Sequence, residues 1–215
     1  MPLPDELHHG RRFDEYAAGY DAPENVCRVR QAVREKAAEL IGDRCPLAVI
    51  DVGCGTGSLL CEVAPTIQAG IGLDVSREML AVAGQKAIAA GRTNLEFRFG
   101  SFTDLSSPEF RSDLPEAEVV VSTYAMHHLP ADEKRRTLEA MTTLLVPGGA
   151  IVLGDLMFFD PPEEHRESFD EAGYGPEHDQ PETVETLQQW AEELECSAEL
   201  YRIHPLAGVV EMEKA

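Results

Sequence analysis

The residues best placed to do chemistry lie in one short run, VIDVGCGTG, over positions 49–57. An apolar stretch leads into Gly53, Gly55 and Gly57, and an acid, Asp51, stands two positions before the first glycine. Glycine admits positive φ and carries no Cβ, so a ligand can come up against the backbone there. Two further groups stand out: Asp74 in IGLDVS, and His127 with His128 in VVVSTYAMHHLP. A carboxylate can accept hydrogen bonds from two neighbouring hydroxyls at once, which neutral side chains do poorly. An imidazole titrates near physiological pH and can act as a general base. The five cysteines, Cys27, Cys45, Cys54, Cys61 and Cys196, form no CxxC pair and no zinc-like spacing. No metal site is expected, and the odd cysteine count argues against a disulfide framework.

Elements must hold these groups in place, and the chain reads as strands alternating with helices. LAVIDV, over 47–52, is a short apolar run suited to a strand buried on both faces. The glycine turn follows, then a helix over 58–64 stopped by Pro65. Further strands are expected at 70–74, 95–99 and 118–122, with helices over 77–90 and 131–145. Pro147, Gly148 and Gly149 should break the chain before a fifth strand at 150–153. Ahead of the first strand, a helix is expected from Pro23, with Val26, Val29, Val33, Ala37 and Leu40 on one face and Gly42 at its end. Residues 156–182 hold four prolines and many acids and read as an insertion. A helix from Thr183, with Val184, Leu187, Ala191 and Leu194 on its buried side, and a hairpin over 197–212 complete the chain. Such alternation predicts an α/β, Rossmann-like, doubly wound sheet of seven mostly parallel strands with an antiparallel C-terminal hairpin. Within a single domain, 1–45 form an N-terminal lid and helix, 46–155 the ligand-binding core, 156–182 a cover over the pocket, and 183–215 the helix and hairpin.

A dinucleotide fingerprint, GxGxxG, needs its third glycine at the sixth position. Here Ser58 occupies that position and the glycine comes one residue early, at Gly57, which counts against a nicotinamide-dependent oxidoreductase. The D-x-G-x-G-x-G spacing instead resembles the class I methyltransferases that use S-adenosylmethionine (SAM). STYAMHHL is similar to a group of uncharacterised bacterial small-molecule members, and FDEYAAGYD, over 13–21, resembles the FD-x-x-A-x-x-YD opening of many of them.

That resemblance implies SAM as cofactor and direct transfer of its methyl group to a small-molecule acceptor. It places Asp51, Gly53, Gly55 and Gly57 at the cofactor, Asp74 on the ribose hydroxyls, and Val75 next to it. In the family an acid commonly follows the glycine of the third segment and meets the adenine amino group. Here Ser101 stands in its place, with Phe102 able to offer a backbone N–H and Asp104 a substitute carboxyl. Ser122 would lie near the methionine part of the cofactor, and Tyr124, His127 and His128 would border the acceptor, either histidine serving as a base. Tyr20 would help close the lid, sharing a face with Tyr16 if that segment is helical. A SAM-binding sensor or partner subunit on the same scaffold is the alternative.

Composition narrows the partners. With 18 basic against 39 acidic residues, the net charge is −21, and such a surface repels phosphate backbones, so no nucleic-acid substrate is expected. No apolar stretch reaches the roughly 18 residues of a membrane-spanning helix, and no basic flank leads into an apolar run at the start. Neither a membrane partner nor secretion is expected, and the cytoplasm is the expected location. A homodimer is compatible with the sequence, which does not determine the oligomeric state.

Overall fold

In a computed structural model that describes residues 4–215, the chain forms one mixed sheet covered by helices on both faces. The strands are β1 (Ala48–Val52), β2 (Ala69–Asp74), β3 (Leu95–Phe99), β4 (Ala117–Thr123), β5 (Leu145–Phe158), β6 (Glu182–Thr183), β7 (Cys196–His204) and β8 (Ala207–Lys214). Seven of them run in the order β3-β2-β1-β4-β5-β8-β7, and the two-residue β6 pairs alongside the far end of β5. β1 to β5 pair in parallel, whereas β8 is antiparallel to both β5 and β7. This is the expected doubly wound sheet with its C-terminal hairpin. Its order reverses between β1 and β4, so the crevice beyond their carboxyl ends is where an open α/β sheet binds ligands.

The helices are α1 (Pro4–Tyr16), α2 (Arg28–Arg44), α3 (Ser58–Val63), α4 (Arg77–Ala89), α5 (Pro108–Arg111), α6 (Ala131–Thr142), α7 (Phe169–Ala172) and α8 (Val184–Glu193). Period-two alternation in the central strands sorts side chains to opposite faces. Ile50, Val52, Val120 and Ile151 pack with Leu138 and Met141 of α6 and Leu187 and Trp190 of α8. Val49, Val119, Val121 and Val152 pack with Val33, Ala37 and Ile41 of α2 and Leu59 and Leu60 of α3. Burying each large aliphatic side chain contributes roughly 1.5–3 kcal/mol, so both helical layers are anchored to the sheet.

Three expectations about the elements need correction. The helix expected from Pro23 begins at Arg28: Pro23–Asn25 form a separate 3-10 turn, and Cys27 caps α2 by accepting the Arg30 N–H. Val26 is therefore exposed, while Val29, Val33, Ala37 and Leu40 are buried as expected, and the helix runs past Gly42 to Arg44. Pro147, Gly148 and Gly149 do not end the sheet pairing. The register passes from Ala117 opposite Leu145 to Val119 opposite Ala150, so they bulge out of a strand that pairs on both sides of them. β5 then continues to Phe158 because β8 pairs with it up to Leu156 and β6 with its last two residues. Finally, Tyr16 and Tyr20 do not share a face, since α1 ends at Tyr16 and a 3-10 turn intervenes. The first three residues of the expected lid lie outside the described residues.

Candidate active site

β1 delivers the chain to Gly53 at φ +77°. The N–H groups of Gly53 and Cys54 both donate to the Leu73 carbonyl, at 2.8 and 3.0 Å, and the Gly55 N–H donates to Asp74 Oδ2 at 2.8 Å. The bend is thus tied across the end of β2. A Cβ on Gly53 would stand 2.6 Å from the Ala125 Cβ and 3.1 Å from Phe102 Cζ. At Gly57 φ is +69°, and a Cβ would meet Ala83 at 2.9 Å, so close packing of the bend on α4 excludes a side chain there. Asp74 Oδ1 accepts the Ser76 N–H at 2.8 Å. Burial raises the Asp74 pKa above the usual carboxylate range, against the pull of the Ser76 and Gly55 N–H groups. Each of its oxygens accepts one bond from these backbone groups, and each keeps a second lone pair for a ligand hydroxyl.

Above the bend lies a cleft of about 610 Å³ whose walls include Tyr20, Gly53, Gly55, Asp74, Tyr124 and His128. A second cavity of about 210 Å³ adjoins it, with Val75, Ser101 and Phe102 in its lining. The two share Phe13, Gly53, Asp74, Ala125 and His128 as common wall. Nine of the residues singled out in the sequence therefore face one continuous region. Asp51, Gly57, Ser122 and His127 line neither cavity and sit behind them. Asp51 is 1% exposed, and neither of its carboxyl oxygens has a hydrogen-bond partner among the described residues. Burial, with the Asp74 charge adding to it, pushes its pKa up to about 8. The Ser122 hydroxyl is likewise buried without a partner.

Ser101 and Asp104 turn toward each other. The Ser101 Oγ accepts the Asp104 N–H at 3.0 Å, and the Ser101 N–H donates to Asp104 Oδ2 at 3.2 Å. Besides Asp74, a carboxylate from α1 borders the smaller cavity: Glu6, 6% exposed, accepts the Thr103 N–H at 3.3 Å and the Thr103 hydroxyl at 2.5 Å. Nothing in the sequence marks Glu6, because its position depends on how α1 docks. Asp14 makes that docking, accepting the Ser76 hydroxyl at 2.6 Å and the Glu78 N–H at 3.2 Å at the start of α4. The following strap is held as well. Lys86 Nζ donates to Asp21 at 2.7 Å and to the Thr56 and Ser58 hydroxyls of the bend at 3.0 and 2.7 Å. The Tyr20 hydroxyl accepts from Arg30 at 3.0 Å.

At the other end of the cleft, Tyr124 occupies the left-handed region at φ +50°, a conformation costly for a side chain of its size and often found at functional sites. Its N–H extends the ladder to the Gly154 carbonyl, and its hydroxyl donates to the Ala172 carbonyl at 3.0 Å. His127 Nδ1 lies 2.5 Å from Asp155 Oδ1. That carboxylate also accepts the backbone N–H groups of Met126, His127 and Leu156, so the ring nitrogen is the donor. Burial opposes a charge on His127, but the Asp155 carboxylate beside it, helped by Asp179, holds its pKa above the ordinary value. Burial lowers that of His128, which faces Asp179 Oδ1 at 3.2 Å. Asp155 and Asp179 were not anticipated: one comes from the unexpected extension of β5, the other from the irregular segment after it.

The chain is similar to known proteins along most of its length. Residues 49–149 match the family model of the methyltransferase domain. An uncharacterised methyltransferase of Bacillus cytotoxicus is 30% identical over 187 residues, covering 82% of this chain and 73% of its own. One from Bacillus pumilus is 26% identical over 96% of this chain and 94% of its own. Among solved structures, the magnesium protoporphyrin IX methyltransferase of Synechocystis with bound S-adenosylhomocysteine superposes with a TM-score of 0.72 at 18% identity, over 98% of both chains. The DhpI complex with S-adenosylhomocysteine gives 0.72 at 17% identity, over 98% of this chain and 96% of its own. With the glycine bend, the acid at the end of β2 and this sheet order in one chain, the protein belongs to the class I S-adenosylmethionine-dependent methyltransferases.

Proposed function

We propose that this chain transfers the methyl group of SAM to a small-molecule acceptor, with the nucleoside over the glycine bend and the acceptor at the Tyr124 and His128 end of the cleft. The observation that carries the reading is the Asp74 carboxylate, 2.8 Å from the Gly55 N–H at the edge of both cavities. There it can take both ribose hydroxyls, while Gly55, with nothing within 4 Å of where a Cβ would stand, leaves room for the ligand against the backbone. Val75, Ser101 and Phe102 suit the base, with Glu6 supplying the carboxylate that Ser101 cannot. Tyr20 and Phe13 close over the cleft. Asp51 and Ser122 lie buried behind the bend and face neither cavity. SAM brings its own activation, a methyl group on a sulfonium sulfur, so the protein's part is alignment and exclusion of water. Lid residues held by Asp14, Lys86 and Arg30 serve that exclusion.

The size of the cleft and the acidic surface fit a small acceptor better than a polynucleotide. Incubating the purified chain with methyl-labelled SAM and a small-molecule cell extract tests this. Label should appear in a low-molecular-weight product and be lost in Asp74→Ala. Binding of SAM with no labelled product in any extract would overturn methyl transfer.

A further inference from the structure

Behind the acceptor end of the cleft, His127, His128 and Asp179 converge. His127 Nε2 is 3.8 Å and His128 Nδ1 3.2 Å from the same oxygen, Asp179 Oδ1, and the three donor atoms all lie within 4.8 Å of one another. We propose that these three residues bind a divalent transition-metal ion, Zn²⁺ or a close relative, with a remaining coordination position open to the acceptor. Two imidazoles and one carboxylate form a borderline donor set that suits this class of ion rather than Ca²⁺ or Mg²⁺, which prefer oxygen. Around a tetrahedral ion with bonds near 2.1 Å, ligand atoms stand about 3.4 Å apart. The two distances to Asp179 bracket that value, and the two ring nitrogens, within 4.8 Å of each other, would close toward it around an ion.

What sets the cluster apart from a chance meeting of polar side chains is the support behind two of the three ligands, His127 and Asp179. Asp155 holds His127 by Nδ1 at 2.5 Å, which fixes the tautomer and turns the Nε2 lone pair toward Asp179. A carboxylate on the far ring nitrogen is the usual outer partner of a metal-bound histidine. Asp179 is gripped by its other oxygen, since Oδ2 accepts the Gly175 N–H at 2.8 Å. The segment carrying it is pinned to the histidines by the Gln180 N–H, which donates to the His127 carbonyl at 2.8 Å, and by Lys134, which donates to the Gln180 carbonyl. His127 and Asp179 side chains are 5% and 8% exposed, and His128, 18% exposed, opens onto both cavities. An ion here would thus be enclosed on the protein side and reachable from the cleft alone. Such an ion stabilises the deprotonated form of a bound hydroxyl or amine. The acceptor class that follows is a small molecule with an ionisable oxygen or nitrogen able to coordinate. That last step rests on the methyl-transfer reading; the metal site itself does not.

Titration of the metal-stripped protein with Co²⁺, followed by visible absorption and calorimetry, tests the site. One ion per chain is expected, with the d–d bands of a low-coordinate mixed nitrogen and oxygen site, displaced by Zn²⁺. Asp179→Asn and His128→Ala should each weaken Co²⁺ by at least tenfold and change the spectrum. Asp160→Asn, at a surface carboxylate, should do neither and reports the background expected of an acidic chain. Circular dichroism of the variants excludes unfolding as the cause. SAM affinity measured on the same samples separates the two readings: intact SAM binding without a Co²⁺ spectrum overturns the metal site and leaves methyl transfer standing. Equal Co²⁺ affinity in wild type, Asp179→Asn and His128→Ala overturns it as well.

Discussion

The two ends of the cleft are built by different means. At the bend, the groups facing the cleft come from β1, β2 and the turns after them, adjacent parallel strands in register, with Asp51 opposite Gly72 and Val52 opposite Leu73. Backbone and one carboxylate, tied to each other by hydrogen bonds, form the wall there, and their positions follow from the sheet. At the other end, the segment after β4 meets Asp155 from the end of β5 and Asp179 from an irregular connection. Side chains form the cluster there, and a long connection positions one of them. A site made of backbone tolerates few changes, because the sheet itself would have to move. A site made of side chains on a connection can be rebuilt residue by residue. The difference suits a reaction with an invariant donor and a variable acceptor.

The most damaging test of that division is Gly53→Val. A β-branched residue at φ +77°, with its Cβ 2.6 Å from Ala125, combines backbone strain of about 1–3 kcal/mol with a steric overlap of similar size. SAM affinity should fall by about 100-fold or more in calorimetry, even at temperatures where the variant remains folded. Unchanged affinity would mean that the nucleoside lies elsewhere. Asp74→Ala comes next. Removing a charged acceptor from two hydroxyls costs about 1.5–3 kcal/mol, roughly 10- to 100-fold in Kd, and the Gly55 N–H also loses its partner. If Asp74→Ala bound SAM as wild type does, the ribose assignment would fail.

How far the site was legible in the sequence follows the same division. β1, with its apolar run and glycines, and β2 ending at Asp74 were readable because strands buried on both faces need continuous apolar residues, whatever packs on them, and β3, an edge strand, was readable because LEFRF alternates apolar and charged residues. The start of α2 was not, because Pro23 opens a 3-10 turn of its own and Cys27, an unusual cap, starts the helix. Nor was the length of β5, since glycine and proline at 147–149 mark a bulge as readily as a break. Glu6 and Asp179 were invisible for a deeper reason. Both are ordinary acids in acidic segments, and only tertiary docking, of α1 onto α4 and of the 175–180 turn onto the histidines, gives them a place.

Asp51 probes whether the bend's acid is held in a state set by the fold. With a folded pKa of about 8 against an ordinary 3.8, the native chain binds more protons than the unfolded one between those values. Stability must then fall as pH rises through that window, by up to about 1.4 kcal/mol per pH unit from this group. Urea denaturation of wild type and Asp51→Asn from pH 5 to 9 should show the wild type losing stability relative to the variant. Parallel curves would show that Asp51 ionises normally and finds a partner in solution.

Glu6→Gln carries the smallest effect and reaches furthest into the boundary between the two ends, since Glu6 enters a backbone-built pocket on a docked helix. If its carboxylate takes the adenine amino group, the amide keeps its size but accepts more weakly, and SAM affinity should drop about fivefold, near 1 kcal/mol. A general loosening of α1 would lower affinity too, so the ligand must be varied along with the residue. With a donor analogue carrying hypoxanthine in place of adenine, the amino group is gone and the two proteins should bind alike. A nonzero coupling in that double cycle assigns the contact. Equal losses for both ligands would make Glu6 a strut of the lid through Thr103, and would leave the adenine edge to backbone groups, as at the rest of that end.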